Sequence, residues 1–175
     1  MAESFDQIVI GGGPGGYVAA IRAAQLGQKT AVVERDKAGG RCLNYACIPA
    51  KTVLRTAELY HDARNGEELG VVGADVKLDW EALHKRRADV SATLSGGVEG
   101  LWKKNKVEFI EGDASLTAEG NVKVGETTYE AKAVTLATGS VALPIPGVEF
   151  GDRVLDTWKA WSLSERPNRI AVVGA

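Results

Sequence analysis

Thiol and imidazole are scarce in this chain, whose 175 residues hold two cysteines, Cys42 and Cys47, and two histidines, His61 and His84. That excludes a disulfide-stapled scaffold and a four-cysteine metal site. Neither histidine has a thiol or acidic neighbour at ligand spacing, so no metal is expected. An excess of either charge is lacking too. With 21 Lys+Arg against 23 Asp+Glu and no basic run longer than Lys85-Arg86-Arg87, the sequence offers no footprint for nucleic acid and none for a membrane surface. No apolar stretch approaches the roughly 20 residues that a membrane span requires. The first strand-like run begins by Gln7, which leaves no room for a signal or transit peptide, so a cytoplasmic protein is the expectation.

Glycine is what the chain has in plenty, 21 residues against a usual share of about 7%. The glycines gather at 11–16, 39–40 and 96–97 without a period, which points to sites rather than to a fibre. The first cluster sits between an apolar run, Gln7 to Ile10, and a helically spaced set of Tyr17, Ala20, Ile21, Ala24 and Leu26. Pro14 suits the first turn of that helix and Gly27 the position just past its end. Thr30 to Val33 then forms a second buried strand, completing a parallel β-α-β unit.

Helical composition returns from Ala46 to about Arg64 and from Asp79 to about Asn105. In the second stretch Trp80, Leu83, Val90, Leu94, Val98 and Leu101 form an apolar stripe, read as packing on the chain's own domain, and Ser95-Gly96-Gly97 weakens its middle. Val107–Ile110, Ala114–Leu116, Val122–Val124, Thr127–Tyr129 and Ala133–Leu136 are short, β-rich and punctuated by turns. The fold class expected is α/β: a Rossmann-like domain with a central parallel sheet, helices and a small inserted antiparallel meander. Leu143-Pro144-Ile145-Pro146-Gly147 reads as a linker. Arg169 to Ala175 repeats the pattern of Gln7 to Gly12, as if a second dinucleotide unit began there; an edge strand of the first sheet is the alternative.

Gly11-x-Gly13-x-x-Gly16, following a strand, opening a helix and trailed by Glu34 at the end of the next strand, meets the context of a dinucleotide fingerprint. Its glycines let backbone N–H groups and the helix dipole approach a pyrophosphate. Glu34 would accept hydrogen bonds from adenosine ribose hydroxyls and would repel a 2'-phosphate. Cys42 and Cys47 lie in Gly39-Gly40-Arg41-Cys42-Leu43-Asn44-Tyr45-Ala46-Cys47-Ile48-Pro49-Ala50-Lys51. A structural bridge here would close a loop of only about six residues and stabilise weakly. The residues leave open a redox-active pair or two unrelated buried thiols. Cys47 falls near a helix start with Lys51 one turn on, and both features favour a thiolate.

The combination of Gly11-Gly12-Gly13-Pro14-Gly15-Gly16-Tyr17, Ala20 to Gly27, Cys42-x4-Cys47-Ile48-Pro49-x-Lys51 and Leu136-Ala137-Thr138-Gly139-Ser140 resembles the flavin disulfide reductase family along essentially the whole chain. Ala20 to Gly27 together with Lys103-Lys104-Asn105-Lys106-Val107 tilts the resemblance toward the members that oxidise dihydrolipoamide. It implies a FAD-binding domain with a redox-active disulfide over residues 1–145, and a linker plus the first strand of a nicotinamide-binding domain over 146–175. Gly11, Gly13, Pro14, Gly15 and Gly16 would cradle the FAD pyrophosphate, and Glu34 and Arg35 would hold the adenosine end. Cys42 would be the interchange thiol, Cys47 the charge-transfer contact to the flavin, and Lys51 a neighbour of the flavin N5. Gly40 and Arg41 would lie by the cofactor, Gly112 to Ala114 by the adenine, and Ala137, Thr138 and Gly139 would cross it.

Two departures stand out: Arg41 replaces a usual Thr and adds a cation near the flavin phosphates, and Tyr45-Ala46 replaces the common Val-Gly. The implied partners are dihydrolipoamide on a lipoyl domain, NAD as electron acceptor, a 2-oxoacid dehydrogenase or glycine-cleavage type complex, and a second copy in a homodimer. The family's nicotinamide domain would begin at Gly174, and its C-terminal His-Glu pair matches neither His61 nor His84. The 175 residues alone are therefore expected not to turn over. Alternatives are another disulfide or mercuric reductase, and a flavin-binding module with silent cysteines.

Overall fold

The computed structural model describes residues 3–73 and 75–174. Strand β1 (Ser4–Ile10) runs into helix α1 (Pro14–Gln25), which returns to strand β2 (Thr30–Glu34). Pro14 stands in the first turn of α1, where its missing N–H matters least. Gly27, at φ +86°, turns the chain back after the helix. Helices α2 (Gly40–Asn44), α3 (Cys47–Asn65) and α4 (Trp80–Lys104) then lead to strand β3 (Glu108–Glu111). Strands β4 (Ala114–Leu116), β5 (Val122–Val124) and β6 (Thr127–Leu136) follow, and helix α5 (Thr157–Trp161) lies beyond the linker.

The six strands form one sheet in the order β3-β2-β1-β6-β5-β4. Its β3-β2-β1-β6 half is parallel, and β4, β5 and the start of β6 are antiparallel. This is the expected α/β arrangement with one difference. Thr127–Tyr129 and Ala133–Leu136 are not two strands but the ends of one, which pairs antiparallel with β5 and then parallel with β1. Period-two alternation divides the core. Val9 and Val32 face the helices and pack with Ala20, Leu43, Val98 and Trp102, while Ile8, Ile10, Ala31 and Val33 face the opposite side, where Val122, Val124 and Tyr129 cover them.

The expected stripe on α4 packs on its own domain at Leu83 and Val98 but not along its whole length. Its buried positions are Leu83, Ser91, Ser95, Val98 and Trp102, whereas Leu94 and Leu101 are 40% and 45% exposed. Small serines line the seam where α4 packs beside α2 and α3. Gly96 and Gly97 lie within the uninterrupted helix. Residues 169–174 belong to no strand, and Ile170, Val172 and Val173 are exposed, so the edge-strand alternative is not what forms. Among the described residues no helix is long and apolar enough to cross a membrane.

Candidate functional site

Parallel register brings four strand ends to one edge. Ile10 pairs with Val33 on one side and Leu136 on the other, and Glu34 pairs with Glu111. The chain therefore leaves β1 at Gly11, β2 at Arg35, β3 at Gly112 and β6 at Ala137, all at the carboxyl edge, where open α/β sheets take their ligands. Gly11, Arg35, Gly112 and Ala137, which follow these strand ends, thereby stand along one edge of the sheet.

The glycines divide by role. A Cβ on Gly11 would overlap the Ala137 carbonyl, and one on Gly16 would overlap the Gly11 carbonyl oxygen, so both are demanded by backbone packing within the protein. Gly13 and Gly15 differ, because a Cβ there would meet nothing closer than 4.0 Å. Their open side is what a ligand's backbone approach needs. Gly13 caps α1 without any side-chain hydrogen bond, and the first turn holds no acid. Its N–H groups and the positive end of the helix are free to meet an anion.

Glu34 does more than its strand-end position suggested. Its Oε2 accepts from Gly12 N–H at 2.7 Å, and its Oε1 accepts from the N–H of Arg35 at 2.8 Å and of Asp36 at 3.0 Å. The carboxylate thus builds the loop while keeping lone pairs for further donors. Its own carbonyl accepts from Gly112 N–H at 3.0 Å. Arg35 reaches Asp113 at 3.3 Å between exposed side chains.

The glycine pair that precedes the thiols stands directly against this loop. Gly39 N–H donates to the Gly12 carbonyl at 2.9 Å, and a Cβ on Gly40 would come within 2.7 Å of the Gly13 Cα. Only glycine at 40 allows α2 to sit on this glycine loop. Cys42 lies within α2 and Cys47 opens α3, a separation into two helices that the sequence did not reveal. Both are free thiols, Cys42 half-buried and Cys47 exposed. Burial raises the Cys42 thiol above its ordinary pKa, and the adjoining Cys47 raises it further, while the Lys51 charge and the Cys47 backbone N–H pull the other way. The pair is thus arranged so that Cys42 retains its proton next to Cys47. Lys51 lies one turn into α3, exposed.

Asn44 is the residue that sequence reasoning passed over. It is buried, donates to the carbonyls of Ala38 and Gly40 at 3.0 Å each, and accepts from Ser95 Oγ at 3.0 Å. A lone amide between two cysteines was the available signal. Arg41 extends to Thr157 at 2.9 Å, and Tyr45 packs on Trp158. A cavity of about 600 Å³ bounded by Tyr60, Arg64, Lys77, Trp80 and Arg166 lies toward the far end of α3, roughly 20 Å along that helix from Cys47, and its lining contains no thiol. Among the described residues no three His, Cys, Asp or Glu side chains gather as metal ligands.

Comparison with known proteins gives this arrangement its context. Residues 5–175 match the family described as Pyridine nucleotide-disulphide oxidoreductase. A dihydrolipoyl dehydrogenase of Staphylococcus aureus is 44% identical over 97% of this chain and 37% of its own length. That of Geobacillus stearothermophilus is 43% identical with the same coverage. Dihydrolipoyl dehydrogenase 3 of Pseudomonas aeruginosa is 46% identical over all of this chain and 39% of its own. The chain therefore spans well under half the length of these relatives.

Proposed function

The chain belongs to the pyridine nucleotide-disulphide oxidoreductase family, and from that premise we propose that it is the FAD-binding, dithiol-bearing part of a dihydrolipoyl dehydrogenase. The observation that carries the reading is the contact of two backbones. Gly12 and Gly13 of an open, uncapped phosphate loop touch Gly39 and Gly40 of the helix that holds Cys42. A nucleotide loop and a thiol pair so joined serve one reaction. The residues fit FAD because Gly13 and Gly15 leave a cradle, the α1 N-terminus presents unpaired donors, and Glu34 stands where ribose hydroxyls would reach it.

In this reading Gly11 to Gly16 and Gly40 hold the pyrophosphate, Glu34 and Arg35 the ribose, Gly112 and Ala114 the adenine side, and Ala137 to Gly139 the far wall. When bound, FAD would supply a two-electron acceptor for the reduced pair and pass the electrons on to NAD+. The protein's own chemistry is thiol–disulfide exchange. A dihydrolipoamide thiolate attacks the Cys42 sulfur of the oxidised pair and expels Cys47 as thiolate at the start of α3. The second substrate thiolate then closes the lipoamide disulfide and expels Cys42 as a thiolate, which takes up one of the two protons given up by the substrate, the other passing to solvent. Substrate has lost two electrons and two protons, and the pair holds the electrons.

The whole protein would act as a homodimer in the cytoplasm, taking dihydrolipoamide from a lipoyl domain of a 2-oxoacid dehydrogenase or glycine-cleavage type complex. By itself the 175-residue chain is proposed to exchange thiols without forming NADH. Stepwise dithionite reduction after loading with FAD tests the reading. Uptake of four electrons per flavin, two by the flavin and two by the cysteines, is expected. Uptake of two would make the cysteines silent, and a chain that takes up no FAD would overturn the assignment of the cradle.

A further inference from the structure

Both departures from the family pattern, Arg41 and Tyr45, point at the same target. Arg41 donates from its guanidinium to Thr157 Oγ at 2.9 Å, and the Tyr45 ring meets Trp158 edge-on with centroids 3.9 Å apart. Thr157 and Trp158 open α5, a five-residue helix that buries no side chain of its own and is capped by Asp156, which accepts from Lys159 N–H at 2.8 Å. Tyr45 is fixed from its other end as well. Its hydroxyl donates to Asp36, and the Lys37 ammonium lies over its ring at 5.8 Å. Burial and the Asp36 carboxylate hold that phenol in its protonated, donating form.

Arg41 immediately precedes Cys42, and Tyr45 ends α2 two residues before Cys47. The segment between the sulfurs is otherwise anchored from below by Asn44 and Leu43, both buried. We propose that Arg41 and Tyr45 are positioning residues which, by clasping α5, hold the Cys42–Cys47 segment in the geometry that lets its two sulfurs reach each other. The clasp raises the effective concentration of one thiol for the other and so favours the intramolecular disulfide. The inference rests on the redox reading of the pair.

The test uses the chain without flavin, equilibrated in mixtures of reduced and oxidised glutathione, quenched by alkylation and weighed intact. Oxidation here is balanced by the buffer. Cys47 thiolate attacks one sulfur of oxidised glutathione and releases a first glutathione, then Cys42 loses its proton, attacks the Cys47 sulfur and releases the second. Trp158→Ala, Tyr45→Ala and Arg41→Thr are each expected to lower the equilibrium constant for the bridge by roughly threefold or more. Tyr45→Ala combined with Trp158→Ala should do no more than Tyr45→Ala alone, because the contact between the two rings is already lost. Tyr45→Phe, which keeps the ring but drops the bond to Asp36, should fall between wild type and Tyr45→Ala. Equal constants in wild type and Trp158→Ala, or additive losses in the double variant, would overturn the clasp. A wild-type chain that forms only mixed disulfides with glutathione would instead overturn the redox reading itself.

Discussion

At the scale of single residues, the glycine loop separates glycines that the protein's own packing demands from glycines with open space, which the proposed function gives to a ligand. Gly16 lies where any side chain meets the Gly11 carbonyl, so Gly16→Ala is expected to destabilise the fold by about 1–3 kcal/mol through overpacking. Gly13 has φ −73° and open space beside it, so Gly13→Ala should fold normally and bind FAD more weakly. Urea midpoints and flavin fluorescence titrations on the two variants read these effects separately. Equal midpoints for both would contradict the division. The fingerprint spacing revealed that these positions matter, yet it could not distinguish the two kinds, because that depends on what a side chain would strike in space.

Cys42 supplies a prediction with a defined sign. Its pKa is raised by burial first and then by Cys47, so its thiolate forms only above the ordinary thiol range and its alkylation should be slow at neutral pH. Cys47→Ser removes the second cause and should move the Cys42 alkylation profile to lower pH, while Lys51→Met should move it to higher pH. Rates with iodoacetamide across pH, followed by peptide mass, check both directions. A Cys47→Ser profile that coincides with wild type would show that burial alone sets the shift. The spacing marked the two thiols as a candidate pair. Their inequality was not legible in it, since it comes from α2 and α3 placing one sulfur inward and the other in the open.

Among the elements, α4 shows why an apolar stripe misleads when helices pack closely. Counting large hydrophobic residues selected Leu94 and Leu101, but the seam toward α2 and α3 takes Ser91 and Ser95, because close-packed helices need small side chains. The two serines are not equivalent. Ser95 donates to Asn44 Oδ1, whereas the Ser91 hydroxyl is buried with no partner among the described residues. Ser95→Ala should lower stability by about 1–3 kcal/mol, since it leaves a buried amide oxygen unpaired, and Ser91→Ala should be neutral or stabilising. Chemical denaturation of the two variants decides it, and a larger loss for Ser91→Ala would reverse the account. Strand β6 carries a related lesson. Exposed Glu130 and Lys132 made it look broken, yet a strand leaving one neighbour for another keeps polar residues where a single neighbour would not.

For the whole molecule, the parallel half of the sheet and its crevice were the most legible parts, because β1-α1-β2 is local in sequence and each of its boundaries carries a turn residue. The long crossover from β2 through three helices to β3 was legible only in outline, since α2 is too short to show a period. Exposed apolar side chains recur at Leu54 and Leu59 on α3, at Val141, Leu143 and Ile145 in the linker, and at Ile170, Val172 and Val173.

Glu34 also has a consequence for time. Because its carboxylate ties Gly12 to Arg35 and Asp36, the glycine loop is shaped during folding rather than during the encounter with a nucleotide. The ordering entropy is spent once, in advance, so under the proposed function an arriving phosphate would find donors already aimed and have no loop to wait for. A loop lacking that tie would have to be ordered anew at every encounter, and its nucleotide would arrive slowly even where the final contacts were the same.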